Sequence, residues 1–424
     1  MKKSVSLLIL GILISCGSKT PVPDTLAAPS NLLASVDDQL CALLSWQDNC
    51  PDEKGYYLFL DGPGISQKMV TLPANTTSYK TQALQAGQDY AFSLQAFRNN
   101  GDLSLRISFP AITATPAISL EWTEEAAPAG IRIYKTTSPL NGRSFNAWYA
   151  VADCTGDVRL RVLFPGDQTL KTLDEQAQAQ DKCLVLINGG IFSSKFLRPI
   201  GFALYDGQQT PWRISEDEDQ LRLDREYWGA DSKLHPVSRG LFGVDRDGVP
   251  GVYWSFTPEH GRVFVYDKPI PSTAGEQVCK EGSATYPDTP VDWEPYNALT
   301  CGPVLLKDGK CPISAEKTTR GYWKTNYELW ADDIYGVNRR ADRTAVGYLP
   351  DCRIILLVAD GRITASQGAT TLEMAAIMRG LGCVGALNLD GGGSTGMWVK
   401  GRGHINDLTG GNRPLMITLG FFSK

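Results

Sequence analysis

The stretch Ala386-Leu-Asn-Leu-Asp-Gly-Gly-Gly-Ser-Thr-Gly-Met-Trp-Val399 decides how this chain is read. An apolar run with the character of a buried strand ends in Asn388 and Asp390, and a second apolar run begins at Met397. Between them stand Gly391, Gly392, Gly393 and Gly396, together with the hydroxyls of Ser394 and Thr395. A reversal between strands needs one or two glycines. Four in six residues, beside a carboxylate, predict a loop that faces a ligand. Glycine admits positive φ and lets a ligand approach with no Cβ in the way. Successive N–H groups in such a turn form a concavity for an anion.

Upstream, Thr371-Leu-Glu-Met-Ala-Ala-Ile-Met-Arg379 carries a helical stripe, and Gly380 and Gly382 suit its C-terminal stop. Arg353-Ile-Ile-Leu-Leu-Val-Ala359 before it has the pattern of a strand. Strand, helix and strand in this order predict a locally parallel unit. Asn146–Val151, Cys183–Ile187 and Arg262–Tyr266 add short β-like runs. Residues 117–424 are therefore expected to form an α+β domain: a mixed, mostly antiparallel sheet with few helices. Residues 29–116 differ. Runs at Cys41–Trp46, Tyr56–Leu60 and Tyr90–Phe97, separated by Gly, Pro, Asn and Asp turns, predict an all-β sandwich. Within it, Leu84-Gln-Ala-Gly-Gln-Asp-Tyr90 resembles the tyrosine corner of fibronectin type III domains, with Trp46 as their buried tryptophan. That resemblance implies a spacer or docking module.

The chain's 424 residues favour two domains over one core. Its 41 basic and 46 acidic residues leave a net charge of -5. Nucleic-acid binding calls for a basic surplus or patch, so no such partner is expected. Lys2 and Lys3 precede an apolar stretch, Val5–Ile14, that is too short to span a bilayer. Leu13-Ile14-Ser15-Cys16 resembles the bacterial lipobox. The resemblance implies a signal peptide at 1–15, lipidation of Cys16 and a tether over 16–28. The protein would then sit in the bacterial cell envelope, meeting the membrane through its lipid only. An ordinary signal peptide with an incidental cysteine is the alternative.

Export favours disulfides over metal thiolates, and no CxxC spacing points to zinc. Cys41 with Cys50, and Cys301 with Cys311, are spaced for local staples, and Cys352 and Cys383 for a cross-link between strands. Nine cysteines remain after Cys16, an odd number that leaves at least one thiol outside intrachain pairing. The acidic run Glu216–Asp219 is expected to be a solvated loop.

The three histidines, His235, His260 and His404, form no HExxH or HxH spacing, and no GxSxG elbow or phosphate-cradling glycine motif follows a strand. Carboxylates, arginines and glycines remain. They gather in Leu186-Ile-Asn-Gly-Gly-Ile-Phe192, Cys301–Gly309, Ala341-Asp-Arg-Thr-Ala-Val-Gly-Tyr348, Val358-Ala-Asp-Gly-Arg362, Ser366–Glu373, the opening stretch, and Asn406 with Asn412-Arg-Pro414. In this order the motifs NGG, RTAVG, DGR, SxG…TLxE and NLDGGGST resemble the phosphodiester glycosidase family. That group includes the lysosomal uncovering enzyme, which removes N-acetylglucosamine from a phosphodiester on mannose.

The resemblance implies hydrolysis of a sugar-1-phosphodiester, with a phosphodiester or phosphoglycan as partner and no cofactor. A structural calcium ion stays open as an alternative, without a ligand signature in the sequence. Arginine binds phosphate bidentately, which suits Arg343, Arg362 and Arg413. Arg343 could instead pair with Asp342. Glycosidic hydrolysis wants a pair of carboxyls. Asp390 and Glu373 are the candidates, with Arg343 beside them. Thr370 and Glu373 also form a capping-box pattern, and Asp360 could simply shape an Asp-Gly turn. Asn188, Gly189, Gly190, Thr344, Gly368, Asn388, Gly391, Gly392, Gly393, Ser394 and Thr395 complete the expected binding set. Two other readings stay open: a phosphodiesterase attacking phosphorus, and a non-catalytic glycan-binding lipoprotein.

Overall fold

A computed structural model of the chain describes residues 26–36, 40–85, 88–114, 117–195, 197–211, 226–228, 234–236, 238–256, 262–269, 289–313 and 339–424. The signal peptide, Cys16, most of the tether, the join at Pro116, the acidic run Glu216–Asp219, Cys279 and His260 lie outside the described residues.

The N-terminal strands are β1 (Ser30–Val36), β2 (Cys41–Gln47), β3 (Gly55–Gly62), β4 (Ile65–Pro73), β5 (Ser78–Ala83), β6 (Asp89–Phe97), β7 (Ile107–Ser108) and β8 (Ile112–Thr113). They form two antiparallel sheets, β1-β2-β5 and β4-β3-β6-β7, with β8 also on β6. Burial alternates along β1 and through most of β3, as a half-buried strand requires. Ala42, Leu44 and Trp46 from one sheet meet Tyr56, Leu58, Phe92 and Leu94 from the other in one core. Trp46 lies edge-on to Tyr56 at 5.6 Å. Tyr90 Oη accepts from Gln85 N at 2.9 Å and donates to Pro63 O at 3.2 Å, pinning the turn before β6.

The rest of the chain carries β9 (Thr123–Glu125), β10 (Arg132–Thr136), β11 (Ala147–Ala152), β12 (Val158–Leu163), β13 (Cys183–Asn188), β14 (Phe192–Ser193), β15 (Arg198–Pro199), β16 (Ala203–Tyr205) and β17 (Gln208–Gln209). There follow β18 (Glu226–Trp228), β19 (Leu234–Pro236), β20 (Arg239–Val244), β21 (Pro250–Ser255), β22 (Asn297–Cys301), β23 (Val304–Leu306), β24 (Arg343–Tyr348) and β25 (Ile354–Ala359). The last are β26 (Gly385–Asn388), β27 (Met397–Val399), β28 (Gly403–His404) and β29 (Thr418–Ser423). Two α-helices are described, α1 (Leu173–Gln178) and α2 (Thr371–Gly380). The sheets run β23-β26-β24-β25-β11-β10-β9, β12-β29-β13-β27-β28 and β17-β16-β22-β20-β21, beside the ribbons β14-β15 and β18-β19.

The architecture is mostly β with few helices, and every strand pairing among the described residues is antiparallel. This corrects the expected mixed sheet. β25, α2 and β26 do follow one another, and the two strands run the same way. β24 lies between them, however, and pairs antiparallel with both. Arg262–Tyr266 forms no strand. It buries Val263, Val265 and Tyr266 and makes a single bridge, Trp254 to Tyr266. Its alternation reflects burial without a ladder.

The seven-stranded sheet separates two cores. Val346, Leu356, Val358 and Leu387 face β12, β13, β27 and β29. Ala345, Ile355, Leu357 and Ala386 face Met374, Ala375, Ile377 and Met378 of α2. This parity decides where the candidate site can form, because side chains on a strand alternate between faces.

The disulfide staples are corrected as well. Cys50 and Cys301 are free thiols, so neither local pair closes, and Cys352 and Cys383 are also free. Cys50 Sγ instead donates to Asp52 Oδ1 at 3.2 Å. Cys301 packs between the sheets and Cys311 on the α2 side, so the seven-stranded sheet stands between them.

Candidate active site

Antiparallel pairing gathers three strand ends. Arg343, the first residue of β24, lies opposite Ala359, the last of β25, while Asn388 closes β26 beside Ala345. Asp342, Asp360 and Asp390, each one or two residues beyond a strand end, are thereby delivered to one end of the sheet. β13 ends there too. Its terminal Asn188 is fully buried and acts as a clamp. Oδ1 accepts from Thr344 Oγ1 at 2.7 Å and from Gly396 N at 3.2 Å, and Nδ2 donates to Asp390 O at 2.6 Å. Thr344 also reaches Thr395 Oγ1 at 3.4 Å. Gly189 accepts from Asp390 N at 3.0 Å, and a Cβ on Gly190 would stand 2.8 Å from Thr300 O.

The glycine turn is held largely by the protein itself. Gly391 N bonds Asp390 Oδ1 at 2.9 Å and Gly392 N bonds Asp342 O at 2.9 Å. A Cβ on Gly391 would lie 2.8 Å from Asp342 O, and Gly392 adopts φ +62, so neither position accepts a side chain without strain. Ser394 N and Thr395 N bond back to Gly391 O and Gly392 O. A row of free amides is therefore not what the turn presents. Of the amides from 391 to 396, only that of Gly393 has no partner among the described residues.

Asp390 is the turn's carboxyl. Burial pushes it up to about 6, against the opposing pull of Ser394, Arg413 and the Gly391 amide. Ser394 is 4% exposed, and its Oγ faces this carboxyl without closing a hydrogen bond of normal geometry. Asp360 is wholly buried, and desolvation raises it also to about 6. Its Oδ1 accepts from Asn406 Nδ2 at 3.1 Å and Asp407 N at 3.2 Å, while Oδ2 has no partner. Asn388 Oδ1 is likewise unpartnered, its Nδ2 donating to Gly302 O at 3.0 Å and Leu389 O at 2.9 Å.

Two of the three arginines stand at this end. Arg362 Nε donates to Asp342 Oδ2 at 2.6 Å, and a Cβ on Gly392 would meet its Nη2 at 3.4 Å. The Arg362 side chain is 43% exposed over an Asp342 only 1% exposed, so the guanidinium is anchored from below and open above. Arg413 is exposed, lies over the Phe192 ring at 5.1 Å and draws the Asp390 carboxyl downward.

Arg343, Gly368 and Glu373 stand elsewhere, on the α2 face. Arg343 shares the face of Ala345, and its guanidinium donates to Ala369 O at 3.1 Å and Arg339 O at 2.6 Å. Burial, with Arg339 beside it, pulls it down to about 10. Glu373 closes the α2 capping box: Oε2 accepts from Thr370 N at 2.8 Å, and Thr370 Oγ1 accepts from Glu373 N at 3.1 Å. Its Oε1 accepts from Asn141 Nδ2 at 2.7 Å and pairs with Arg340, which also holds Gly368 O at 2.7 Å. Adjacent residues on a strand point to opposite faces, so Asp342 pairs with Arg362 and not with Arg343.

Sequence reasoning gave Asp342 no role beyond pairing with Arg343, and left out Thr409. The Thr409 hydroxyl donates to Asp342 Oδ1, which also accepts from Gly361 N at 3.2 Å. Asp342 was detectable, since it shares the parity of Thr344 at the mouth of a strand. Thr409 lies in a loop with no such signal. Among the described residues no group of three or more His, Cys, Asp or Glu is placed to hold a metal ion.

Fold and site together define a class: an antiparallel β scaffold whose strand ends gather carboxyls that burial raises to about 6, beside exposed arginines. Residues 237–422 match the model of the phosphodiester glycosidase family, so the resemblance carried by the motifs is shown over that segment. The NGG motif at 188–190 falls before it. A 115-residue stretch is 34% identical to the SPbeta prophage-derived uncharacterized protein YomE of Bacillus subtilis strain 168; it makes up 27% of this chain and 15% of that protein. Among solved structures, the zebrafish N-acetylglucosamine-1-phosphodiester alpha-N-acetylglucosaminidase catalytic domain, auto-inhibited by its pro-peptide, is similar over 73% of this chain and 90% of that one. The identity there is 19% and the TM-score 0.44. A hypothetical protein from Synechocystis is similar over 94% and 100% of the two chains, at 15% identity and TM-score 0.44.

Proposed function

We propose that the C-terminal unit hydrolyses the glycosidic bond of a sugar-1-phosphodiester, with an N-acetylhexosamine as the sugar, yielding free sugar and a phosphomonoester. The observation that carries this reading is Asp390, a carboxyl raised to about 6 by burial at the edge of a glycine turn, with Arg413 and Arg362 beside it. A phosphate leaving group needs cations more than it needs a proton. Arg362 and Arg413 supply the charge, and the Gly393 amide and Ser394 hydroxyl supply donors. The harder task is to activate water. Asp390, ionised above about 6, takes the proton of the water that attacks the anomeric carbon as the carbon–oxygen bond to phosphate breaks. Asp360 and Asp342 support it, the first by fixing the 406–407 loop and the second by aiming Arg362. Arg343 and Glu373, expected at first to share the chemistry, hold the α2 side of the sheet in this account.

The same reading covers the whole chain. Residues 29–116 form a fibronectin type III-like spacer, favoured by the Tyr90 hydroxyl bonds, and residues 117–424 form an α+β hydrolase domain. Cys16 anchors both in a bacterial envelope through lipid, and the enzyme works without a cofactor. The test is turnover of an N-acetylglucosamine phosphodiester by wild type and Asp390→Asn. Free sugar from the wild type and at least a roughly hundredfold loss in the variant support the assignment. Binding without turnover by the wild type would point to a glycan-binding protein instead.

A further inference from the structure

The end of the β12-β29-β13 sheet opposite Asn188 opens on a cavity of about 690 Å³. That size falls within the roughly 300–1,000 Å³ range of small-ligand sites. Its walls come from the start of β12, the residue before β13, the β20–β21 turn and the start of β22. Nothing in the chemistry assigned to the glycine turn uses it.

The side chains of three of its cations, Arg159, Lys182 and Arg246, make no hydrogen bond or ion pair among the described residues. Arg246 lies over the Tyr296 ring at 4.5 Å, which sets a guanidinium and an aromatic face side by side. Carboxylates share the lining. Asp206 is tied to Arg161 at 2.5 Å and held by Asn297 Nδ2 at 3.2 Å. Asp245 Oδ1 accepts from Asp247 N and Val249 N, both at 2.9 Å, which fixes the β20–β21 turn in shape.

This mixture selects a chemistry. A bare polyanion would be repelled by the aspartates, and a neutral sugar would leave the cations unused. A polyhydroxylated anion uses both, with its charge on the cations and its hydroxyls on the carboxylates. We propose that this cavity is a binding site for an anionic sugar residue, a sugar phosphate or a uronate, remote from the glycine turn. Arg159, Lys182 and Arg246 take the anion, and Asp206 and Tyr296 take the ring. The proposal does not depend on the glycosidase reading, because its ligands carry no bond that reading would cleave.

Calorimetric titration of the full chain with glucose 6-phosphate, glucuronate, glucose and inorganic phosphate provides the test. Binding of either anionic sugar, weakened at least about tenfold by combined Lys182→Ala and Arg246→Ala and unchanged by Arg362→Ala, supports the site. The tighter of the two anionic sugars identifies its source as phosphate or carboxylate. Loss of binding on Arg362→Ala places the ligand at the glycine turn and overturns the proposal. Equal affinity for inorganic phosphate and glucose 6-phosphate, or no anionic-sugar binding at all, overturns it too. Both cations are exposed, so thermal melting serves to confirm that the double variant is folded.

Discussion

Asp390 gives the account its most exposed prediction, because one physical fact has two consequences. Its carboxyl is raised to about 6 by burial, so the folded protein holds that proton more tightly than the unfolded chain. Such a shift destabilises the fold above pH 6, fades as pH falls towards 4 and vanishes below the unfolded value. Asp390→Asn should therefore stabilise the protein at pH 7.5 by about 1–2 kcal/mol, with little gain at pH 4. Melting curves at the two pH values check this. In the wild type, kcat/KM should rise with pH through about 6 if the ionised carboxyl activates water. A fall over that range would make it the acid. Arg362→Ala should cut kcat/KM by roughly ten- to a thousandfold and also lower the melting temperature, because it takes the Nε donor from the buried Asp342 carboxylate. Arg343→Ala should leave kcat/KM closer to wild type and lower stability by about 2–4 kcal/mol, because a buried side chain is deleted and the buried Ala369 carbonyl loses its donor. Three carboxylates and three arginines could be picked from the sequence, and two of each kept company with the turn. Arg343 strayed by parity, since in Arg343-Thr344 the hydroxyl faces the turn and the guanidinium faces the helix, and Glu373 is taken up by the α2 cap.

At the scale of elements, the same glutamate could be read two ways from Thr370-x-x-Glu373, and the structure fills both of its oxygens with structural partners. Glu373→Ala should cost about 1–3 kcal/mol through the lost cap and the unpaired Arg340. Glu373→Gln, which keeps the Thr370 contact, should cost less and leave kcat nearly unchanged. A collapse of kcat in a folded Glu373→Gln enzyme would return that residue to the chemistry. The helix itself was plain from its stripe and its glycine stop. The strand after it was also plain, but its neighbour was not. Periodicity reports burial and says nothing of partners, so the antiparallel insertion of β24 between β25 and β26 could not be read. The four glycines show the same limit. Their excess signals close approach, and the structure shows that much of that approach is protein on protein: Gly391 meets Asp342, and a Cβ on Gly393 would sit 3.3 Å from Gly410.

For the whole molecule, the core of residues 26–114 and the two cores of residues 131–422 share no member. Ile118 already belongs to the second part, since its N–H bonds Ala376 O at 2.8 Å. A chain of residues 117–424 should accordingly fold alone and keep kcat/KM on a small soluble diester within about threefold of the full protein. The proposed division near residue 116 rests on the change of composition and strand spacing there. The disulfide framework was not legible, because spacing along a chain does not tell which side of a sheet each thiol occupies. The central claim is that water attacks carbon and not phosphorus, and hydrolysis of an N-acetylglucosamine phosphodiester in oxygen-18 water tests it most directly. Label in the released sugar, with none in the phosphomonoester, is the predicted result. Label in the phosphate would contradict it.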